Sequence, residues 1–235
     1  MSRTVISFSL YGNVRKYVGG LLDNCKDINE FYPEFWIYVY LGNDFDWNVY
    51  SEKFNNIKNI KYFRTGCSGH RNMVYRFLSI DFPEVGCAFS RDADSRINTR
   101  DRYCIDTFLK SPKRFQIIRD HKLQGNWPIM GGLWGIKKGL LQSKVMHLVK
   151  FYSGKAYASD QWFLKTYIYP EVKHDLIVFD EIFNYEGISQ KIDVPVEIVY
   201  GFTDYVGRSI VPVNIDEPFG EKVAVDVSQI ISYRK

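Results

Sequence analysis

The sequence predicts one α/β domain with a mostly parallel central sheet flanked by helices. Two observations carry that expectation. Apolar runs of strand length alternate with segments whose apolar residues recur every three or four positions, the order expected of repeated βαβ units. The runs are also nearly unbroken by polar residues, as in parallel strands covered on both faces.

Residues 4–10 read as the first strand, ending at Tyr11-Gly12-Asn13, where Gly and Asn favour a turn. A helix follows, because Val14, Tyr17, Val18, Leu21, Leu22 and Cys25 fall at helical spacing, and Pro33 closes that region. Residues 35–40 form a second strand of aromatic and apolar side chains, and 57–63 a third. The stretch 69–80 carries Met73, Val74, Phe77 and Leu78 on one helical stripe. After Pro83, residues 85–90 make a short apolar strand that runs into Arg91-Asp92-Ala93-Asp94. A helix over 101–109 has Thr99 or Asn98 to cap it, and a strand over 115–118 follows. Residues 125–135, rich in Gly and Trp, are too irregular for a simple helix. Helices are expected over 140–151 and 159–169, and a strand over 176–179, with a trailing segment poor in helix signal beyond Val194. No repeat or linker divides the chain, so residues 1–235 read as one domain.

Composition sets the limits on function. At 46% hydrophobic and 25% charged residues, the 235-residue chain has the means to bury an ordinary globular core. The 31 Lys and Arg against 27 Asp and Glu leave a net charge of +4, without the concentrated basic stripe that nucleic acid demands. Cys25, Cys67, Cys87 and Cys104 show no C-x-x-C pair, which argues against a zinc ribbon or a disulfide framework and for free thiols in a reducing compartment. The first apolar stretch is too short for a signal peptide, and no window approaches the length of a membrane span. A soluble cytoplasmic protein is expected.

Asp92 and Asp94 carry the sharpest chemical signal. Residues i and i+2 of an extended chain point the same way, so both carboxylates can grip one hard cation. Mn2+ or Mg2+ prefers such oxygen ligands and completes its shell with water and substrate phosphates. A D-x-D triplet also fits two solvated acids at a turn. Its position after an apolar strand favours the cation, because ligands of open α/β sheets bind at the carboxyl ends of strands.

Four blocks in order strengthen that reading. The string Phe89-Ser90-Arg91-Asp92-Ala93-Asp94-Ser95-Arg96 resembles the D-x-D block of GT-A (Rossmann-like) glycosyltransferases. Phe8-Ser9-Leu10-Tyr11-Gly12 is similar to their donor loop. Arg119-Asp120-His121, with the run from Pro128 to Gly135, is similar to a third block, and Ser159-Asp160-Gln161-Trp162-Phe163-Leu164 to a fourth. The nearest resemblance is to the small glycosyltransferases of large algal viruses that build capsid glycans, which would place the protein in the host cytoplasm.

The resemblance implies a metal-dependent enzyme moving a sugar from a nucleotide-diphosphate donor, most readily a UDP-sugar, to a glycan or glycoprotein acceptor. It implies a nucleotide-binding half over about 1–120 and an acceptor half over about 121–235. Asp92 and Asp94 would hold the metal and the donor diphosphate, with Ala93 between them. Ser9, Tyr11, Gly12 and Tyr17 would line the nucleotide pocket, and Arg76 would reach the donor. Asp160 would stand at the reacting carbon, as general base in an inverting enzyme or as stabiliser or nucleophile in a retaining one. A helix N-cap is the plainer reading of that aspartate. His121, Trp127, Gly131, Gly132 and Trp134 would face the acceptor or donor sugar, the paired glycines letting backbone approach it closely. Many relatives add a third metal ligand, often a C-terminal His. This chain has no His after His174, and Asp204 is the acidic residue left for that place. His70, His147 and His174 carry no functional expectation, and His147 reads as core.

Two other classes compete. A metal-dependent nuclease or phosphoryl-transfer enzyme also uses paired acids, but with more clustered carboxylates and a denser basic face. A noncatalytic carbohydrate-binding protein would use Trp127 and Trp134 and leave Asp92 and Asp94 unexplained.

Overall fold

A computed structural model describes residues 2–12, 15–152, 154, 156, 158–199 and 201–210. Asn13 and Val14, assigned above to the first turn and helix, lie outside them, as does the chain beyond Ile210. The elements run β1 (Arg3–Leu10), α1 (Arg15–Phe31), β2 (Trp36–Leu41), α2 (Trp47–Tyr50), β3 (Ile60–Arg64), a 3-10 run (Gly69–Asp81), β4 (Val85–Ser90), α3 (Thr99–Lys110) and β5 (Phe115–Arg119). Then come β6 (Trp134–Lys137), α4 (Val145–Val149), α5 (Ser159–Phe163), a π-helical turn (Leu164–Ile168), α6 (Tyr169–Val172), β7 (Leu176–Asp180), β8 (Ser189–Gln190), β9 (Glu197–Val199) and β10 (Phe202–Asp204).

Eight strands form one sheet in the order β3-β2-β1-β4-β6-β5-β7-β8, and β9 and β10 pair separately as an antiparallel ribbon. All neighbours in the large sheet are parallel except β6, which is antiparallel to both β4 and β5. The two-residue alternation of strands sorts the core into two layers. Val5, Tyr38 and Tyr40 face one layer with Phe77, Trp134 and Phe163, under the 3-10 run and the π turn. Ile6, Phe8, Leu10, Ile37, Val39 and Leu41 face the other, with Val18, Leu21 and Phe108 of α1 and α3. Both sheet faces are therefore covered, which is why these strands read as unbroken apolar runs.

Several elements differ from the sequence expectation, among them the helix expected over 159–169, which divides into α5, the π turn and α6. Residues 69–81 form a 3-10 helix rather than an α-helix, so the repeat is three residues per turn. Val74, Phe77 and Ile80 turn to the core. The helix expected over 140–151 contracts to α4, whose first amides are capped from a distance: Val145 N and Met146 N donate to the Asp81 carboxylate at 3.0 and 2.8 Å. His147, expected in the core, is exposed. β6 emerges from the irregular Gly/Trp stretch, because Gly135 lies opposite Phe89 and a Cβ there would come within 2.6 Å of its ring. The alternative caps of α3 resolve to Asn98, whose Oδ1 accepts from Asp101 N at 2.9 Å.

The four cysteines are free, and Cys25, Cys87 and Cys104 are buried. Among the described residues, no helix is long and apolar enough to cross a membrane.

Candidate active site

A cavity of about 270 Å³ opens at the carboxyl ends of β1 and β4. β1 ends in two buried serines that bind the 3-10 run by its carbonyls: Ser7 Oγ donates to Arg76 O at 2.8 Å and Ser9 Oγ to Asn72 O at 2.9 Å. The three-residue repeat then aligns His70, Met73 and Arg76 on one face, and all three line the cavity. Tyr11, just past β1, meets His70 edge to face, with its hydroxyl 3.3 Å from Nδ1.

The segment after β4 is clamped on both sides of its acidic pair. Arg91 is fully buried and forks onto Asp101, with Nε and Nη2 at 2.8 and 2.7 Å from the two carboxylate oxygens, while Nη1 donates to Ser90 O and Trp134 O. On the other side Asn24 of α1 donates to Ala93 O and Ser95 O, and Arg96 Nη2 pairs with Asp23 at 2.8 Å. Gly20 is needed in α1 because any Cβ there would collide with the Ala93 carbonyl. Asp92 and Asp94 are thus presented at a fixed place while Arg91 and Arg96 serve as anchors.

Asp160 reaches the same cavity from α5. That helix begins at Ser159 behind Ala158, a non-glycine residue in the left-handed region at φ 62°, and no side chain caps it. Asp160 therefore lies inside the first turn and not at the N-cap. Arg76 joins it to the acidic pair: Nη1 donates to Asp92 Oδ1 at 2.5 Å and Nη2 to Asp160 Oδ2 at 3.3 Å. Burial pushes the Asp160 carboxyl above the usual carboxylate range, and the Arg76 guanidinium opposes it. Burial, then the neighbouring charge of Asp92, raises Asp94, while Ser209 Oγ at 2.7 Å and Lys16 Nζ at 4.0 Å pull the other way. Burial likewise raises the Tyr11 hydroxyl.

Ser9, Tyr11, Tyr17, Arg76, Asp92, Ala93, Asp94, Gly131 and Asp160 therefore share one cavity wall. Gly12 takes the left-handed turn at φ 70° outside that wall. The glycine pair is explained differently from the expectation of sugar contact. A Cβ on Gly131 would strike Asp160, and one on Gly132 would strike Asp92, so these glycines make room for the carboxylates. Trp134, expected to face a sugar, is 2% exposed, stacks on Phe115 with centroids 5.4 Å apart, and donates Nε1–H to Gly131 O. Trp127 is half-buried outside the cavity, beneath Lys165. His121 caps the turn Lys122–Gln124 and stacks on Tyr205 at 4.0 Å, also outside the cavity wall.

Asp204, expected as a third metal ligand, does not line the cavity. It is buried at the end of β10 away from the cavity wall, where burial raises its pKa, and Asn98 holds its backbone carbonyl. The C-terminal segment instead reaches the site through Gly207 and Ser209, and Ile210 N donates to Asp94 O at 2.7 Å. Reasoning from sequence missed His70, Met73, Lys16, Gln161 and Ser209. For the first two a signal existed: a repeat of three from Arg76, hidden when a period of 3.6 is assumed.

Asp92 and Asp94 offer hard oxygens facing one cavity, with mutual repulsion at Asp94 that a cation relieves, so the donor set fits Mn2+ or Mg2+. Among the described residues no group of three His, Cys, Asp or Glu is placed to hold a metal ion, so water and phosphate oxygens would complete the shell.

No family model matches the sequence, and no curated protein matches it. Solved structures do. A glycosyltransferase involved in glycosylating the major capsid of PBCV-1 aligns at TM-score 0.51 and 14% identity, over 76% of this chain and 81% of that one. The galactosyltransferase LgtC, in complex with donor and acceptor sugar analogs, aligns at TM-score 0.52 and 14% identity, over 81% and 80%. This chain has the GT-A glycosyltransferase fold. A mannosyltransferase from Pyrobaculum calidifontis, in complex with GDP-Man and Mn2+, shares the fold at TM-score 0.50 and 12% identity, over 77% of this chain and 55% of that one. Within the GT-A fold the acidic pair follows the central strand β4, and the antiparallel β6 brings Gly131 and Gly132 against it.

Proposed function

We propose that the protein is a metal-dependent glycosyltransferase that moves a sugar from a nucleotide-diphosphate donor, a UDP-sugar, to a glycan or glycoprotein acceptor. The observation that carries this reading is the convergence of Asp92, Asp94, Arg76 and Asp160 on one cavity at the carboxyl end of β4.

Each group has a task. Asp92 and Asp94 would hold the cation, which would supply Lewis-acid neutralisation of charge on the departing diphosphate. Ser9, Tyr11 and Tyr17 form the wall for the nucleoside, with Tyr11 held edge-on by His70. Asp160 stands at the reacting carbon and needs its ionised form, either to take the acceptor hydroxyl's proton or to meet the anomeric centre. Arg76, 3.3 Å away, favours that form. The part of the chain beyond about residue 120 contributes Gly131, Asp160 and Ser209 to this cavity, which supports the reading of a donor half and an acceptor half. Buried unpaired cysteines fit a reducing, cytoplasmic setting.

The carbohydrate-binding alternative loses one of its two tryptophans, with Trp134 in the core. The test is a thermal-shift panel of UDP, GDP and their sugars with and without Mn2+. A ligand at 100 times its Kd stabilises by about 2.7 kcal/mol, which is readily seen. UDP or a UDP-sugar is expected to raise Tm only with Mn2+; no shift from any nucleotide at millimolar concentration would contradict the reading.

A further inference from the structure

Arg76 is unusual among the buried arginines. Arg91 and Arg100 each fork onto a buried aspartate, Arg119 is shared by Asp180, Glu186 and the Pro128 carbonyl, and all three stay out of the cavity, as anchors do. Arg76 lines the cavity and divides its two terminal nitrogens between carboxylates from different elements, Asp92 and Asp160, while its buried Nε has no hydrogen-bond partner. Its ion pairs are of unequal surroundings. The Asp160 side chain is 4% exposed and the Asp92 side chain 42%.

Asp92 already has one close cationic partner. Oδ1 receives Arg76 Nη1 at 2.5 Å, and Oδ2 lies against Gly132 so closely that no Cβ fits there. A cation shared with Asp94 requires Asp92 to turn an oxygen toward it. The carboxylate has electron pairs for both, but a guanidinium and a divalent cation drawn to one carboxylate at close range repel each other.

We infer that Arg76 and the divalent cation are alternative partners of Asp92, so that cation binding exchanges Arg76 off Asp92 and leaves it on Asp160. This inference rests on the reading that Asp92 and Asp94 hold the cation. It makes Arg76 a positioning residue: the exchange sets cation affinity low until a diphosphate adds its own oxygens, and it commits the guanidinium to Asp160 only when the donor site is loaded. Cation and nucleotide then bind cooperatively, each raising the other's affinity by the same factor.

The experiment titrates Mn2+ into the protein without nucleotide, by calorimetry and by loss of the free-ion electron paramagnetic resonance signal. Arg76→Met is expected to bind Mn2+ about tenfold more tightly than the parent, because the competing charge is gone. Lys16→Met controls for the general loss of a positive charge. Its ammonium lies 4.0 Å from Asp94 but is 37% exposed, so its removal is expected to change affinity less than about threefold. Unchanged or weaker Mn2+ binding in Arg76→Met, alongside parent binding that Asp94→Asn abolishes, overturns the exchange and leaves the cation site standing. Parent binding indifferent to Asp94→Asn overturns the cation reading itself, and the exchange with it. A second measurement needs no variant at Arg76: in the ¹⁵N spectrum of arginine side chains, the Arg76 signals move as Mg2+ saturates the parent. Arg76 signals that stay in place at saturation overturn the exchange.

Discussion

Replacing Asp160 with Asn is expected to lower sugar transfer by about 10²–10⁴-fold, the range a positioned acid or base contributes, while Mn2+ and nucleotide binding stay near the parent's. Asn matches the shape that Gly131 accommodates and can still accept from Arg76 Nη2, so the cavity is preserved. What it lacks is a basic, anionic oxygen. The measurement is nucleotide release from the donor identified by thermal shift, followed with and without acceptor. Activity within threefold of the parent would remove Asp160 from the chemistry. Asp160→Glu separates charge from geometry: the longer side chain crowds Gly131, so its activity is expected to fall as well.

The second large effect is on stability, at the anchor of the acidic segment. Arg91 and Asp101 are each 1% exposed at the side chain and joined by two hydrogen bonds. Arg91→Met leaves the Asp101 charge buried without its partner, a change that costs about 3–5 kcal/mol. At about 2–4 °C per kcal/mol for a domain of this size, Tm is expected to fall by about 10 °C. Thermal denaturation followed by circular dichroism checks it. Pairing Arg91→Met with Asp101→Leu is expected to recover most of the loss, because both charges are then gone. If the double variant is as unstable as the single one, the pair matters for its geometry and not for charge balance.

These residues show what the sequence discloses and what it hides. β4 is legible to the residue because its apolar run ends at a sharp polar boundary, and Asp92-Ala93-Asp94 follows at once. Asp160 and Arg76 are legible as candidates through block resemblance. Their shared ion-pair bridge is not, because it joins positions 84 residues apart. β6 is hidden since Gly131, Gly132 and Gly135 read as loop, although each is glycine because a carboxylate or a ring occupies the space. Trp134 misleads for a related reason. An aromatic residue beside glycines resembles an exposed platform, and only the antiparallel register of β6 shows that its ring faces the core. The cavity face of residues 69–81 is invisible until the period of three is known, and the cap on α4 comes from Asp81, far upstream.

The proposed chemistry turns on Asp94 and its partner Asp92 binding a nucleotide diphosphate through a divalent cation. Titration of UDP into the parent and into Asp94→Asn, each with Mn2+ and with EDTA, tests it most directly. The parent is expected to bind UDP tightly only with Mn2+, and Asp94→Asn to fold normally but lose the Mn2+-dependent component. UDP binding of unchanged affinity in Asp94→Asn, with or without metal, would contradict it.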